Sequence, residues 1–485
     1  LRLRDMLFLQ KGSLARRLVH AVFSVALRLF FRRIELSGAT VVPADGPLIF
    51  VLNHPNGLID AALVFCALPR RVSFLAKSTL FRVPVLRTLL RVLEALPLYR
   101  RIDPGENVAL NRRTFDECRT LLARDRCIAL FPEGLSHNEP RLMPLKTGAA
   151  RIALASATGL KQTDADDAGL KQTDTDAASL KQTDSDAAGL CLVPVGLYYT
   201  AKTAFRSEVL LRVGVPLEVP SVVLDEAGEP PRAAVQQLTA QIDAALRDVT
   251  LNTADESELR EAERAEQLFA SVYETIDRRL PLAESFYWLR RIAERLRRTA
   301  THAPDRLADL RLRIARYESE LAALGIEPEM LAVSALPPAR FVREVLLKGL
   351  LLLSLTPLAL VGALLHLPAY LLATLCAHLY RTHGPDAAVA SVKIVAAIAL
   401  MPLTWLLVSG AAGALWGWRI GLFVLPALVV VGYVALRVFE ELVELRGWFR
   451  AGFVLLRRRA LFLRLLLRRR DLQRAIRQFV EEERT

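Results

Sequence analysis

A histidine and an aspartate stand close together in Asn53-His54-Pro55-Asn56-Gly57-Leu58-Ile59-Asp60, directly after the apolar run 47–52. An imidazole changes charge near neutral pH, and one ring nitrogen held by an acceptor leaves the other free to take a proton from a hydroxyl. Asp60 is the obvious acceptor if the residues after Gly57 open a helix that turns back toward His54. Further along, Phe131-Pro132-Glu133-Gly134-Leu135-Ser136 follows a second apolar run, 127–131. A glycine-containing loop after a buried strand has backbone amides that can face an anion. Ser136, His137 and Lys146 lie close behind it, and Lys77, Arg100 and Arg101 end other apolar runs. Arginine grips phosphate with two parallel bonds and lysine acts as a point charge, although each cation taken singly is an ordinary solvated residue. The implied chemistry is proton abstraction from a hydroxyl beside an anion pocket. No serine or cysteine occupies a nucleophile elbow, so direct transfer is expected rather than a covalent intermediate. No ligand cluster calls for a metal, and no cofactor is expected.

These loops need a scaffold. From 41 to about 220, short β-rich runs (47–52, 72–76, 127–131, 192–197 and 209–213) alternate with helical patterns such as 107–123 and 148–157. Such alternation predicts an α/β domain, a sheet flanked by helices, with its chemistry in loops that leave the strand ends. Within it lie three near-identical decamers, Gly159–Ala168, Gly169–Ala178 and Ser179–Ala188. Pairs such as Asp164/Asp166 hint at calcium, but the glycine and terminal glutamate of an EF-hand are missing. A solvated loop insertion over 159–190 is expected.

Residues 1–40 read as an interfacial helix. Leu14, Leu18, Val22, Val25, Leu29 and Phe30 recur at helical spacing, with Arg16, Arg17, Arg28, Arg32 and Arg33 placed to reach headgroups. The alternative is a core helix with a basic outer face. The stretch 18–27 is too short to span a bilayer, and no signal peptide is expected. Residues 221–340 form a helical accessory region, with periodicity over 256–276 and 305–324. A C-terminal α-helical transmembrane region is expected over 341–440, in apolar segments 349–380, 394–415 and 420–436, the third marginal in length. Prolines 357, 368, 402 and 426 suggest kinks. The tail 441–485, with arginines between leucines, is basic and amphipathic, which places it on the cytoplasmic side. A catalytic domain on that side requires an even number of crossings, so one of the three segments should be re-entrant or interfacial.

Composition agrees with this division. The 485 residues are 53% hydrophobic and yet 24% charged, so polar and membrane-like stretches are segregated. The 64 Lys and Arg outnumber 51 Asp and Glu, giving a net charge of +13. That suits an anionic lipid surface, since no nucleic-acid-binding motif accompanies it. Five scattered cysteines without a Cys-x-x-Cys pair argue against a disulfide framework or zinc site.

His54 with Asp60, the Arg100 segment, Phe131-Pro-Glu-Gly134 and Val193-Pro194-Val195 stand in the order of the four blocks that mark the glycerolipid acyltransferases. Over roughly 40–215 the chain resembles that family, which includes glycerol-3-phosphate and 1-acylglycerol-3-phosphate acyltransferases. The resemblance implies transfer of a fatty acyl group from acyl-CoA or acyl carrier protein, as co-substrate, to a hydroxyl of a phosphorylated glycerol. It implies His54 as base and Asp60 as its orienting partner. Arg100, Glu133 and Gly134 would bind the acceptor, and Val193-Pro-Val195 would serve the donor side. Two departures stand out: five residues separate His54 from Asp60 where four are usual, and Leu135-Ser136-His137 replaces the usual Thr-Arg-Ser. Both are similar to the branch of fungal glycerol-3-phosphate/dihydroxyacetone-phosphate acyltransferases and bacterial relatives, as are 251–255 and the hydrophobic C-terminal region. Glycerol 3-phosphate and lysophosphatidic acid both remain as acceptors. A lysophospholipid-remodelling enzyme and a non-catalytic lipid-binding membrane protein are the alternatives.

Overall fold

A computed structural model describes residues 13–171, 189–270, 280–324, 338–381, 389–457 and 459–481. The chain divides into two compact units, Leu1–Asn252 with Gly384–Ser391, and Thr253–His383 with Val392–Thr485.

The first unit is built on an eight-stranded mixed sheet. Its strands are β1 (Arg33–Ser37), β2 (Leu48–Leu52), β3 (Val72–Lys77), β4 (Leu96–Leu98), β5 (Cys127–Leu130), β6 (Cys191–Tyr199), β7 (Glu208–Val213) and β8 (Leu217–Glu218). The order is β1-β7-β6-β2-β5-β3-β4, with β8 beside β6. Strands β6 and β2, β2 and β5, β5 and β3, and β3 and β4 pair in parallel, while β7 and β8 run antiparallel to β6. Every residue of β2 is buried, as expected for a central parallel strand covered on both faces. One covering layer comes from α5 (Gly148–Lys171) and α6 (Arg232–Val249). Ile152, Leu154, Leu238, Ile242 and Leu246 from these helices pack with Ile49, Val51, Ile128 and Leu192 of the sheet. Helices α1 (Leu14–Phe30), α2 (Leu58–Ala67), α3 (Pro84–Val92) and α4 (Asn111–Leu122) complete this unit.

Two expectations need correction here. The segment 1–40 is not one interfacial helix, because α1 ends at Phe30 and Arg33–Ser37 pairs with β7 in the sheet. Ser13 caps α1 through its side-chain oxygen. Leu14, Leu18, Val22, Val25 and Leu29 form an exposed row, whereas Phe30 is buried. Arg16 is buried too: it donates to the carbonyls of Val72 and Val92, faces Glu94 at 3.6 Å and lies 4.9 Å over the Phe65 ring. Burial lowers its pKa to about 10. Arg33 pairs with Glu208 at 2.6 Å. These two arginines therefore hold the fold together and do not reach outward. The second correction concerns the first decamer, which continues α5 instead of looping out, the helix ending at Lys171 in the second decamer. Its Leu, Lys, Gln and Ala favour helix, and extending an existing helix avoids the cost of nucleation. Residues 172–188 lie outside the described part.

The second unit is helical. It contains α7 (Glu256–Ala270), α8 (Leu282–His302) and α9 (Pro304–Leu324), then α10 (Pro338–Arg381), α11 (Val389–Trp416), α12 (Trp418–Arg457) and α13 (Arg459–Glu481). Three stretches are long and apolar enough to cross a membrane: Val345–Tyr380, Ser391–Trp416 and Trp418–Val443. The third, expected to be marginal, reaches 26 residues. All four prolines lie inside these helices without ending them. The tail 441–485 is built from two helices. Its first part continues α12, and α13 returns to the accessory helices. Gln473 donates to the Leu268 carbonyl, Arg468 pairs with Glu320, and Arg295 donates to the Phe479 carbonyl. Leu465, Leu472 and Ile476 are buried, which is why arginines alternate with leucines there.

Candidate active site

Parallel neighbours leave the sheet at the same edge, so their following loops must meet. Val51 of β2 lies opposite Leu130 of β5, and Leu52 lies opposite Val195 of β6. The loops that begin at Asn53 and Phe131 therefore emerge side by side. Asn53 extends the ladder with its side chain, accepting from the Leu197 amide at 2.7 Å and donating to the Leu197 carbonyl at 3.1 Å. Gly57 then turns the chain with φ 55°, a conformation that suits glycine, and α2 starts at Leu58.

That turn brings Asp60, in the first turn of α2, back to the histidine. Nδ1 of His54 donates to Asp60 Oδ2 at 2.8 Å, leaving Nε2 as the basic nitrogen. The same oxygen accepts from the Asn56 amide at 2.7 Å, and Tyr199 Oη donates to Oδ1 at 2.5 Å. Asp60 has no exposed surface, while the His54 side chain keeps 19%. A carboxylate here also benefits from the positive end of the helix dipole. The Phe131 ring stacks on His54 with centroids 4.1 Å apart. The result is an oriented imidazole with one partly open nitrogen.

Glu133 is buried, and protein donors occupy both its oxygens. Oε1 accepts from the His54 amide at 2.8 Å; Oε2 accepts from the Met143 amide at 2.8 Å and from His137 Nε2 at 2.5 Å. Ser136 Oγ accepts from the Gly57 amide at 3.0 Å, and the His137 amide donates to the His54 carbonyl at 3.3 Å. Glu133 and Ser136 thus join the two loops.

The cations gather on the other flank of the Glu133-Gly134 turn. Arg100 donates to the Gly134 carbonyl at 2.9 Å and to Asp103 through two nitrogens at 2.9 and 3.1 Å. Lys77 reaches Asp103 at 2.9 Å. Hydrogen bonds from Arg100, then from Lys77, hold Asp103 below the usual carboxylate range despite its burial. These ion pairs contribute in full above the ordinary carboxylate pKa and are lost as pH falls through the lowered one. Two cations share the Asp103 carboxylate beside the turn. Arg101 and Lys146 are exposed.

The structure brings together His54, Asp60, Glu133, Gly134 and Ser136, with Arg100 and Lys77 adjoining through Gly134 and Asp103. Asp103 and Tyr199 were missed by sequence reasoning. Asp103 could have been found from its place three residues after Arg100, a spacing that closes an ion pair in a turn. Tyr199 carries no local signal, because only the sheet register brings it to Asp60.

Residues 33–165 match the family model described as Acyltransferase. Those residues are an acyltransferase-family domain. Residues 266–484, within the helical unit, match the model described as Glycerol-3-phosphate acyltransferase 2 C-terminal domain. The chain is 23% identical over 447 residues to Glycerol-3-phosphate O-acyltransferase 1 of Saccharomyces cerevisiae, covering 74% of this chain and 54% of that protein. It is 22% identical over 333 residues to an uncharacterized acyltransferase of Schizosaccharomyces pombe, covering 51% of this chain and 46% of that one. It is 30% identical over 124 residues to a chloroplastic 1-acyl-sn-glycerol-3-phosphate acyltransferase of Brassica napus, covering 25% and 34%. The chain spans about half the length of the first two relatives. In the acyltransferase domain, β2 and β5 carry the His54 and Glu133 loops, and both strands fall inside the matched residues.

Proposed function

We propose that this chain is a membrane-bound O-acyltransferase that moves a fatty acyl group from a thioester, acyl-CoA or acyl carrier protein, to a hydroxyl of glycerol 3-phosphate in phospholipid biosynthesis. The observation that carries this reading is the His54–Asp60 pair, tied by Glu133 to a turn whose far side bears Arg100 and Lys77. His54 Nε2 takes the proton of the acceptor hydroxyl as its oxygen attacks the thioester carbon. The tetrahedral intermediate then expels the thiolate, which recovers a proton from the imidazolium. Arg100 and Lys77, beside Gly134, hold the phosphate and keep the hydroxyl near the base, a proximity effect worth several kcal/mol. No cofactor takes part in these steps.

The yeast relative and the C-terminal match support glycerol 3-phosphate as acceptor. The similarity to a plant 1-acylglycerol-3-phosphate acyltransferase favours 1-acylglycerol 3-phosphate as the second reading. Purified protein in mixed micelles, given labelled acyl-CoA or acyl carrier protein and both acceptors, separates them. Label should appear in lysophosphatidic acid first. Label in neither lysophosphatidic nor phosphatidic acid overturns the proposal.

Packing within the helical unit bears on topology. The contacts of α13 with α7 to α9 support placing the segments before and after the apolar helices on one side of the bilayer, with an even number of crossings. Helices α10 and α12 form an antiparallel pair, joined by Lys348–Glu441 and by Val345, Leu352, Ala359, Val438 and Leu445. They make two crossings, with α11 re-entrant or interfacial, and the arginines of α13 favour the cytoplasmic side. Thiol labelling of sealed vesicles should reach cysteines placed in α9 and in α13 from the same face. Labelling from opposite faces excludes this arrangement.

A further inference from the structure

We propose that Tyr199 is a positioning residue for the His54–Asp60 pair, fixing which carboxylate oxygen meets the imidazole. This role rests on the acyl-transfer reading above and deepens it. Asp60 is fully enclosed, and three protein donors surround its carboxylate. Oδ2 takes His54 Nδ1–H and the Asn56 amide, both from the loop after β2. Among the described residues, Oδ1 takes only the Tyr199 hydroxyl, at 2.5 Å across 139 residues of sequence. Among the described residues, His54 and Tyr199 are the titratable groups bonded to Asp60. The first two donors belong to the same short loop as the histidine and move with it. Tyr199 alone ties the carboxylate to the sheet.

The position follows from strand geometry. Leu52, the last residue of β2, lies opposite Val195, so β6 runs four residues past its neighbour. Alternation places Val195, Leu197 and Tyr199 on one face, and all three are buried. The Tyr199 ring lies 5.8 Å from that of Phe31, and its backbone pairs with Val209 of β7. The phenol is therefore held by two strands and an aromatic neighbour. Burial, and then the Asp60 charge, push its pKa well above the ordinary tyrosine value, so it stays a donor across the working pH range. With Oδ1 so held, the carboxylate cannot swing to present its other oxygen to Nδ1. Without the phenol, Oδ1 is a buried acceptor lacking a donor, a costly arrangement relieved by rotation or by tighter retention of a proton in the pair.

The test compares two changes in the full-length protein. Tyr199→Phe removes the donor. Incorporating 3-fluorotyrosine at position 199 keeps the ring and its packing but makes the hydroxyl a stronger donor, so it decides the matter even if the phenylalanine variant folds poorly. For Tyr199→Phe the acid limb of the kcat/KM profile should move up by about one pH unit, the size expected for losing one hydrogen bond to a charged group. In the same variant, kcat should fall about tenfold, with KM for the glycerol phosphate within about twofold. The fluorinated protein should shift its acid limb in the opposite direction. The 13C titration of the His54 imidazole, which needs no turnover, should follow both shifts. An unmoved profile and imidazole titration in both proteins, even with reduced kcat, assigns Tyr199 to packing alone and overturns the proposal. If the imidazole responds while the unaltered protein transfers no acyl group, the positioning role stands and the acyl-transfer reading falls.

Discussion

In the sheet, β2 buries all five of its side chains, and the polar chemistry is confined to loops beyond Leu52 and Leu130. In the apolar helices the pattern is inverted. Leu350, Leu364, Leu407 and Phe423 remain exposed, while close approach falls to glycines: a Cβ on Gly362 would come 2.4 Å from the Val431 carbonyl oxygen, and one on Gly432 would come 2.7 Å from His366 Nε2. The difference teaches what each environment supplies. Water drives apolar side chains of the sheet together, so large Ile, Leu and Phe make its core and charge is tolerated only where it is fully bonded. Lipid gives apolar side chains no reason to turn inward, so small residues and a few polar bonds must bring helices together.

The largest effect should come from the sheet edge. His54→Ala removes the proposed base and should lower turnover about a thousandfold, while the protein stays in the membrane fraction because α10 and α12 are unchanged. Retained turnover in the labelled-acyl assay removes His54 from the mechanism. Next is Glu133→Gln. Its carboxylate serves three donors, and an amide NH2 must face one of them, so about 2–3 kcal/mol of stability should be lost together with activity. A melting temperature equal to that of the parent protein contradicts the role of Glu133 in joining the loops.

A third substitution probes the helices. Gly432→Val drives a side chain into His366 and should cost about 2 kcal/mol in detergent unfolding, the typical cost of overpacking. Gly349 is the control, since nothing lies within 4 Å of a Cβ placed there. Equal losses at the two positions refute the claim that glycines set helix separation.

Much of the sheet was legible because buried strands followed by Asn-His or Pro-Glu-Gly end visibly in sequence. The five expected strands are all present. Strands β1, β4 and β8 were not legible: Arg33–Ser37 alternates no more clearly than the basic stretch before it, Leu96–Leu98 is only three residues long and Leu217–Glu218 only two. The proximity of His54 to Asp60 followed from local helix geometry. The destination of Arg16 did not, since an arginine in an amphipathic helix reads as solvated unless Val72, Val92 and Glu94 are known to surround it. Likewise, nothing local marks Glu133 as a residue that braces a neighbouring loop. Contacts across the sheet edge depend on register, which one sequence does not display.

The smallest effect should come from His366, where the two environments can be compared on one type of bond. Its Nδ1 donates to the Gly362 carbonyl one turn back at 2.8 Å, and Nε2 accepts from Trp405 Nε1 of α11, also at 2.8 Å. Both ring nitrogens are satisfied in the neutral form, as are both oxygens of Asp60 at the sheet edge. In a water-excluded protein core, losing a donor to a buried carboxylate is costly, because nothing replaces it. In lipid the unfolded reference helices also find partners for their polar groups, so an interhelical bond contributes only about 0.6 kcal/mol on average. His366→Leu should therefore lower stability by about that amount, several times less than Glu133→Gln, and leave turnover unchanged. A loss equal to that of Glu133→Gln, measured by the same unfolding assay, means that the His366–Trp405 bond is sealed as tightly as the sheet's own polar bonds. The contrast between the two regions would then rest on glycine spacing alone.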